Sequence, residues 1–249
     1  EFNGDGLIDF AVPIYDNNSV EVYKNEGLGN YSLYTTLTTG NNPISVASGD
    51  LTGNGSNDIV VANYSDGTVN VFINTGGSFS SPLTVSVNLS PIKIKLGDYD
   101  NDGSLDLFVL NENNQVTILK GNGLGGFISP ITYSTGSSPK DISLGDQNDD
   151  GYLDFVVSVY GENKVSLYRG NGTSGGFTKS DHTVGNKPWG IVLADTNGDG
   201  KLEAVVVNNA SNSVSVLAAN PTNGNFAPSA THYPTQNTGP IGITAGDFN

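Results

Sequence analysis

Apolar residues alternate with polar ones along much of this chain. SVEVYKN, TVNVFIN, QVTILKG, KVSLYRG and SVSVLAA place apolar side chains at nearly every second position, the period of a strand with one buried face. Just upstream of each lies a denser apolar run: IDFAVPIY, NDIVVANY, LDLFVLNE, LDFVVSVY and LEAVVVNN. Runs of that length suit strands buried on both faces. A short polar turn follows each dense run. A Gly-rich turn ending in an aromatic ring (GLGNY, TGGSF, GLGGF, SGGF, NGNF) follows each alternating one. A Thr/Ser-rich stretch, a proline (Pro43, Pro91, Pro139, Pro188, Pro240) and a last short strand such as ISVASGD or IKIKLGD complete the series. No helical period is sustained, so the pattern predicts antiparallel strands joined by hairpins.

The series repeats. EFNGDGLID starts at Glu1, DLTGNGSND at Asp50, DYDNDGSLD at Asp98, DQNDDGYLD at Asp146 and DTNGDGKLE at Asp195. The repeats span 1–49, 50–97, 98–145, 146–194 and 195–246, and 247–249 begins a sixth motif. Four strands per repeat of about 48 residues is the signature of a propeller blade. The expected fold is therefore all-β: a five-bladed β-propeller of four-stranded antiparallel blades, one domain over 1–249. The chain starts inside a motif, as an excised or processed piece would, with a first repeat that lacks an inner strand. It ends on an inner-type strand that lacks its blade. Pairing Ile241–Asp247 with the N-terminal strands would close the ring and hide two sheet edges. The alternative is an open excerpt of a larger ring.

The nine-residue loops follow D-x-[D/N/T]-x-[D/N]-G-x-x-[D/E]. Oxygen-bearing side chains at positions 1, 3, 5 and 9 converge if the loop winds once around a centre. Position 7 can add its backbone carbonyl, and glycine at position 6 permits the sharp turn. That is a set of hard oxygen donors suited to calcium, which takes six to eight at roughly 2.3–2.6 Å. The candidate ligands are Glu1, Asn3, Asp5, Leu7 and Asp9; Asp50, Thr52, Asn54, Ser56 and Asp58; Asp98, Asp100, Asp102, Ser104 and Asp106; Asp146, Asn148, Asp150, Tyr152 and Asp154; and Asp195, Asn197, Asp199, Lys201 and Glu203. At the termini Asp247 and Asn249 compete with Glu1 and Asn3. The bland alternative for any single copy is a solvated acidic turn. An EF-hand is excluded, because position 12 is valine in every copy, inside a strand.

Composition sharpens this picture. The net charge is −15, which argues against nucleic acid as a partner. Seventeen of the 25 acidic residues lie in the loops or at Asp247, so up to five calcium ions, one per blade, account for most of the charge. There is no cysteine, hence no disulfide and no thiolate chemistry. No apolar run reaches the roughly 20 residues of a membrane helix, so membrane insertion is not expected.

With its DxDxDGxxD loops, the strands that follow them and the Gly-Gly-Phe turns, the chain resembles the FG-GAP/VCBS repeat family of integrin-α-like propellers over essentially its whole length. The resemblance implies calcium in the loop between the first two strands of each blade, and partners on the opposite face. Five blades departs from the seven or eight usual in that family. On that opposite side the turn after the second strand carries Tyr15, Tyr64 and Tyr160, and Trp189 follows Pro188. Aromatic rings beside Asn and Ser suit sugar stacking, and interblade packing is the competing role. His182 and His232 fall in outer strands and read as exposed surface residues. No catalytic residue is assigned. The expectation is a monomeric, extracellular or cell-surface binding or adhesion module, not an enzyme, with a glycan or an extracellular protein as ligand. An accessory domain of a secreted carbohydrate-active enzyme, or a structural spacer, is the alternative.

Overall fold

The computed structural model describes residues 1–87, 90–172, 176–220 and 223–247. They form two compact units, residues 1–98 with 103–132 and residues 99–102 with 133–249. The strands run β1 (Phe10–Ile14), β2 (Ser19–Gly27), β3 (Asn30–Thr38), β4 (Pro43–Gly49), β5 (Asp58–Asn63), β6 (Thr68–Phe72), β7 (Asn74–Thr75), β8 (Ser78–Phe79), β9 (Leu83–Ser86), β10 (Pro91–Gly97), β11 (Asp106–Asn111), β12 (Gln115–Gly121), β13 (Phe127–Ser134), β14 (Pro139–Gly145), β15 (Asp154–Val159), β16 (Lys164–Gly170), β17 (Phe177–Thr183), β18 (Pro188–Ala194), β19 (Glu203–Asn208), β20 (Ser213–Leu217) and β21 (Thr231–Pro234). A 3-10 turn at Tyr15–Asn17 follows β1.

Each repeat makes one antiparallel meander. The sheets are β1-β2-β3, β4-β5-β6-β9, β10-β11-β12-β13, β14-β15-β16-β17 and β18-β19-β20-β21, with β7-β8 a small hairpin. The dense apolar runs become β5, β11, β15 and β19. The first three are buried along all six residues, as strands covered on both faces must be. In the first unit Leu51, Val60, Val69, Ile94, Leu107 and Leu119 form one core, and Phe2, Val20, Ile59 and Phe72 a second. In the second unit Val156, Leu167, Ile191, Val206 and Leu217 pack together. There too, Phe155 stacks on Tyr168 at 4.2 Å, and the Tyr168 hydroxyl donates to the Ser134 carbonyl at 2.6 Å.

The first strand of every four-stranded sheet carries a register shift straight after its proline. The shifts fall between Pro43 and Ser45, Pro91 and Lys93, Pro139 and Asp141, and Pro188 and Ile191. Proline suits the first position of a strand because it has no N–H to give the ladder. The bulge that follows turns the next side chain out of the regular alternation.

The segment expected to pair at the ends is not assigned as a strand among the described residues. The first sheet has three strands, and residues 241–247 carry no strand assignment. That segment lies along β18. The Ile241 carbonyl oxygen is 2.9 Å from where a Cβ on Gly190 would sit, and Gly242 Cα and Ile243 N are 3.2 Å from it. The glycine thus admits this backbone next to β18. Without an inner neighbour in its sheet, β1 is more exposed than β5 or β11, with Phe10 at 40%.

One buried side chain departs from the pattern. Gln147 is fully buried, and neither its side-chain oxygen nor its nitrogen has a hydrogen-bond partner. Phe2, Leu51 and Tyr99 hold the equivalent place in the first three repeats. A buried polar group without a partner costs about 1–3 kcal/mol. Gln147→Leu should therefore stabilise the protein by about that much in denaturant unfolding; a destabilised variant would show that the amide is satisfied in solution.

Candidate functional site

Each acidic loop joins the first strand of its sheet to the second, or precedes β1 in the first repeat. The sharp bend predicted at position 6 is present throughout: Gly6, Gly55, Gly103, Gly151 and Gly200 have φ between 80° and 86°. Position 4 is left-handed as well, at Gly4, Gly53, Asn101, Asp149 and Gly198. Sequence reading missed that second bend, although Gly, Asn and Asp are the residues that adopt it most readily. The two bends wrap the backbone around the first carboxylate. Asp50, Asp98, Asp146 and Asp195 each accept the amide of their own position-6 glycine at 2.7–3.0 Å. In the first loop Glu1 accepts the amides of Asn3 and Gly4. These backbone bonds pull the pKa of Asp50 and Asp195 below the ordinary carboxylate range. Position 5 repeats the motif, with Asp5, Asn54, Asp150 and Asp199 accepting the amides of Leu7, Ser56, Tyr152 and Lys201. The Lys201 ammonium itself donates to the Asn148 carbonyl at 2.9 Å.

Position 9 has a different task. Asp9, Asp58, Asp106, Asp154 and Glu203 are all buried. Asp58 accepts the amide of Leu51 at 2.8 Å and that of Asn74 at 2.7 Å. Asp154 likewise takes Gln147 and Gly170, Asp9 takes Phe2 and Asn25, and Glu203 takes Thr196 and Ala219. Asp106 accepts Gly121. Each carboxylate thus ties the start of its loop, the far end of the third strand, or both, to the second strand. Burial raises the pKa of Asp58 and pushes that of Asp154 up to about 7.

The residues fit a hard cation. Asp98, Asp100 and Asp106 bring carboxylate oxygens within 4.8 Å of one another. Oxygens sharing one calcium lie no more than about 5 Å apart, twice the bond length. In the second loop the Thr52 hydroxyl is buried without a hydrogen-bond partner, an oxygen that a cation would satisfy. Each position-9 carboxylate retains lone pairs beyond those held by its amides. Asp247 lies beside Asp195 and Thr196 along a groove also lined by Val192 and Gly246. Asn249 is outside the described residues.

At the other end of the sheets the four aromatic residues have different surroundings. Tyr15 is 44% exposed. The Tyr64 hydroxyl donates to Glu112 at 2.5 Å. Tyr160 and Trp189 meet edge to face, with ring centroids 5.5 Å apart, and both are half-buried. Two lysines that sequence reading did not single out accompany them, Lys140 and Lys187. The turn position of Tyr160 and the bulges after Pro139 and Pro188 bring these groups to one end of the second unit. His182 is not the exposed residue expected. It sits edge-on to Phe226 at 5.3 Å, with Nε2 3.1 Å from Ser180 Oγ, and burial lowers its pKa. His232 is exposed, its Nδ1 2.8 Å from Ser215 Oγ.

A profile of the FG-GAP-like repeat matches residues 2–61, 50–109, 98–157, 146–206 and 195–249, and the chain belongs to that family. A search among curated proteins gave no match. Among solved structures it is similar to a protein from Lactobacillus plantarum (TM-score 0.73, 18% identity, 93% of this chain and 69% of that one). It is also similar to the periplasmic gluconolactonase of Pseudomonas aeruginosa (0.71, 16%, 96% and 70%), and to BBS1N, solved in complex with ARL6DN (0.64, 16%, 94% and 66%). The chain thus spans about two thirds of the length of these proteins. The shared fold is that of a β-propeller. The gluconolactonase corrects one expectation: a fold that enzymes also use gives no ground for setting catalysis aside.

The raised pKa of Asp154 has a testable sign. The folded, metal-free protein holds this proton more tightly than the unfolded chain does, so its contribution to stability is full below pH about 4 and is lost as pH rises to about 7. In EDTA, Asp154→Asn should gain stability relative to wild type across that window, read from melting temperatures at each pH. A difference that does not change with pH would contradict it.

Proposed function

We propose that this chain is a calcium-stabilised, extracellular or cell-surface binding module whose five sheets are five propeller blades, and that it takes a glycan at the end of the sheets opposite the acidic loops. The observation that carries the ligand assignment is the edge-to-face pair of Tyr160 and Trp189, half-buried and on bulged or turn backbone. A pyranose ring presents an apolar C–H face that stacks on such rings, while its hydroxyls reach nearby polar side chains. Calcium would be held by the loop carboxylates, Asp98, Asp100 and Asp106 above all, with Thr52 and the position-5 residues supplying oxygens in other copies. Its role there is to neutralise converging negative charge and stiffen the loops. Because the folded chain binds it and the unfolded chain does not, binding adds to stability by mass action.

Calorimetric titration of calcium into EDTA-treated protein should show several sites per chain and a rise in melting temperature. No heat and no shift would remove calcium from the account. Trp189→Ala should weaken saccharide binding at least tenfold on a glycan array and in follow-up titrations, with little change in melting temperature. Unchanged binding would place the ligand elsewhere.

A further inference from the structure

The Tyr160–Trp189 pair is flanked by cations. Lys140 Nζ lies 5.3 Å from the Tyr160 ring centroid and 5.1 Å from that of Trp189, and Lys187 Nζ lies 4.5 Å from Tyr160. We infer that this cluster binds an acidic saccharide, one bearing carboxylate or sulfate groups. The inference rests on the glycan reading above and narrows it.

The charge distribution is the first support. The chain has ten lysines and arginines against 25 acidic residues, so two cations beside one aromatic pair run against its overall charge. In the second unit Lys164 pairs with Glu162 at 2.6 Å and Asp181 at 2.8 Å, and Lys179 approaches Asp181 at 3.6 Å. Arg169 donates to the Asn223 carbonyl. Among the described residues Lys140 and Lys187 have no such ion pair. The acidic groups nearest them in sequence, Asp141 and Asp181, are engaged elsewhere. Asp141 accepts the amides of Ile142 and Ile191, and Asp181 pairs with Lys164 and Lys179. The two ammonium groups face ring π-clouds, which attract them weakly and leave N–H donors for a ligand anion.

The repeats supply an internal comparison. Lys140 and Trp189 occupy the bulge after the proline, where the first two four-stranded sheets have Ile44 and Ile92. Packing alone is met by isoleucine there. Lys187 takes the left-handed position before the proline, φ 59°, that Asn42, Ser90 and Ser138 take in the other sheets. Lysine is less at ease in that conformation than asparagine, and local strain of this kind gathers at functional sites. The Tyr64 copy of the turn is the reverse case, its hydroxyl bound to Glu112. The departures from the repeat therefore converge on one place and have one chemistry, two aromatic faces with two cations. A neutral sugar would use the faces and ignore the charges, whereas an acidic peptide would use the charges and offer no pyranose face. An acidic sugar uses both.

Trp189 is the chain's only tryptophan, so intrinsic fluorescence reports on this site directly. The test titrates the calcium-loaded protein with a panel of uronate- and sulfate-bearing oligosaccharides. Each is paired with its methyl-esterified or desulfated counterpart, and hexaglutamate is run alongside. At least one acidic member should bind ten times more tightly than its neutral counterpart. The double variant Lys140→Gln/Lys187→Gln should erase that preference while still binding the neutral form as wild type does. Equal binding of acidic and neutral forms would overturn the inference and leave the glycan reading standing. Absence of binding by every saccharide would overturn both. Hexaglutamate binding as tightly as the best acidic sugar would show that charge alone is recognised.

Discussion

A buried carboxylate at the ninth position of each acidic loop is the contact on which these sheets depend. It stands at the start of the second strand, or just before it in the first repeat, and its oxygens accept backbone amides. In four of the repeats these come from both the loop and the end of the third strand. Unpaired amides buried at a strand end are costly, and a charged acceptor forms stronger bonds with them than a neutral one does. The cost is the burial of a charge, visible in the raised pKa of Asp154 and Asp58. A cation bound by the same loop would offset that cost, so the clamp and the proposed calcium site reinforce each other. The glutamate at position 203 shows the tolerance of the design. Its longer side chain reaches the same two kinds of amide, the second at 3.3 Å.

The clamp fixes one end of each sheet and leaves the other free to vary. At the loop end positions 1, 5, 6 and 9 keep their chemistry in every repeat, because the carboxylate, the two left-handed bends and the amides must all coincide. At the far end the proline and the bulge recur, but the bulged residue is isoleucine, lysine or tryptophan. A side chain turned out of the alternation by a bulge is little constrained by the core. That is where binding chemistry can differ between repeats without cost to the fold.

The strands were legible in the sequence because the side-chain periods of a half-buried and a fully buried strand differ. Asp58–Asn63 and Thr68–Phe72 fall where those periods put them. The loops were legible because glycine and carboxylates repeat in register, down to the φ of Gly55 and Gly151. Less legible was what depends on tertiary neighbours. Asp58 and Asp154 read as metal ligands, and their grip on Asn74 and Gly170, some 16 residues away, has no sequence signature. Lys140 and Lys187 lie 47 residues apart and become a pair only through the ring of Tyr160. The alternation in IGITAGD predicted a strand for the first sheet. Alternation does not name the partner, and the segment lies against Gly190.

The most direct test of the clamp is site-resolved hydrogen exchange on Asp58→Ala beside wild type. If the carboxylate holds loop and third strand together, the amides of Leu51 and Asn74 lose most of their protection, while those of Gln147 and Gly170, held by the intact Asp154, keep theirs. Unchanged protection at Leu51 and Asn74, or an equal loss at all four, would contradict it.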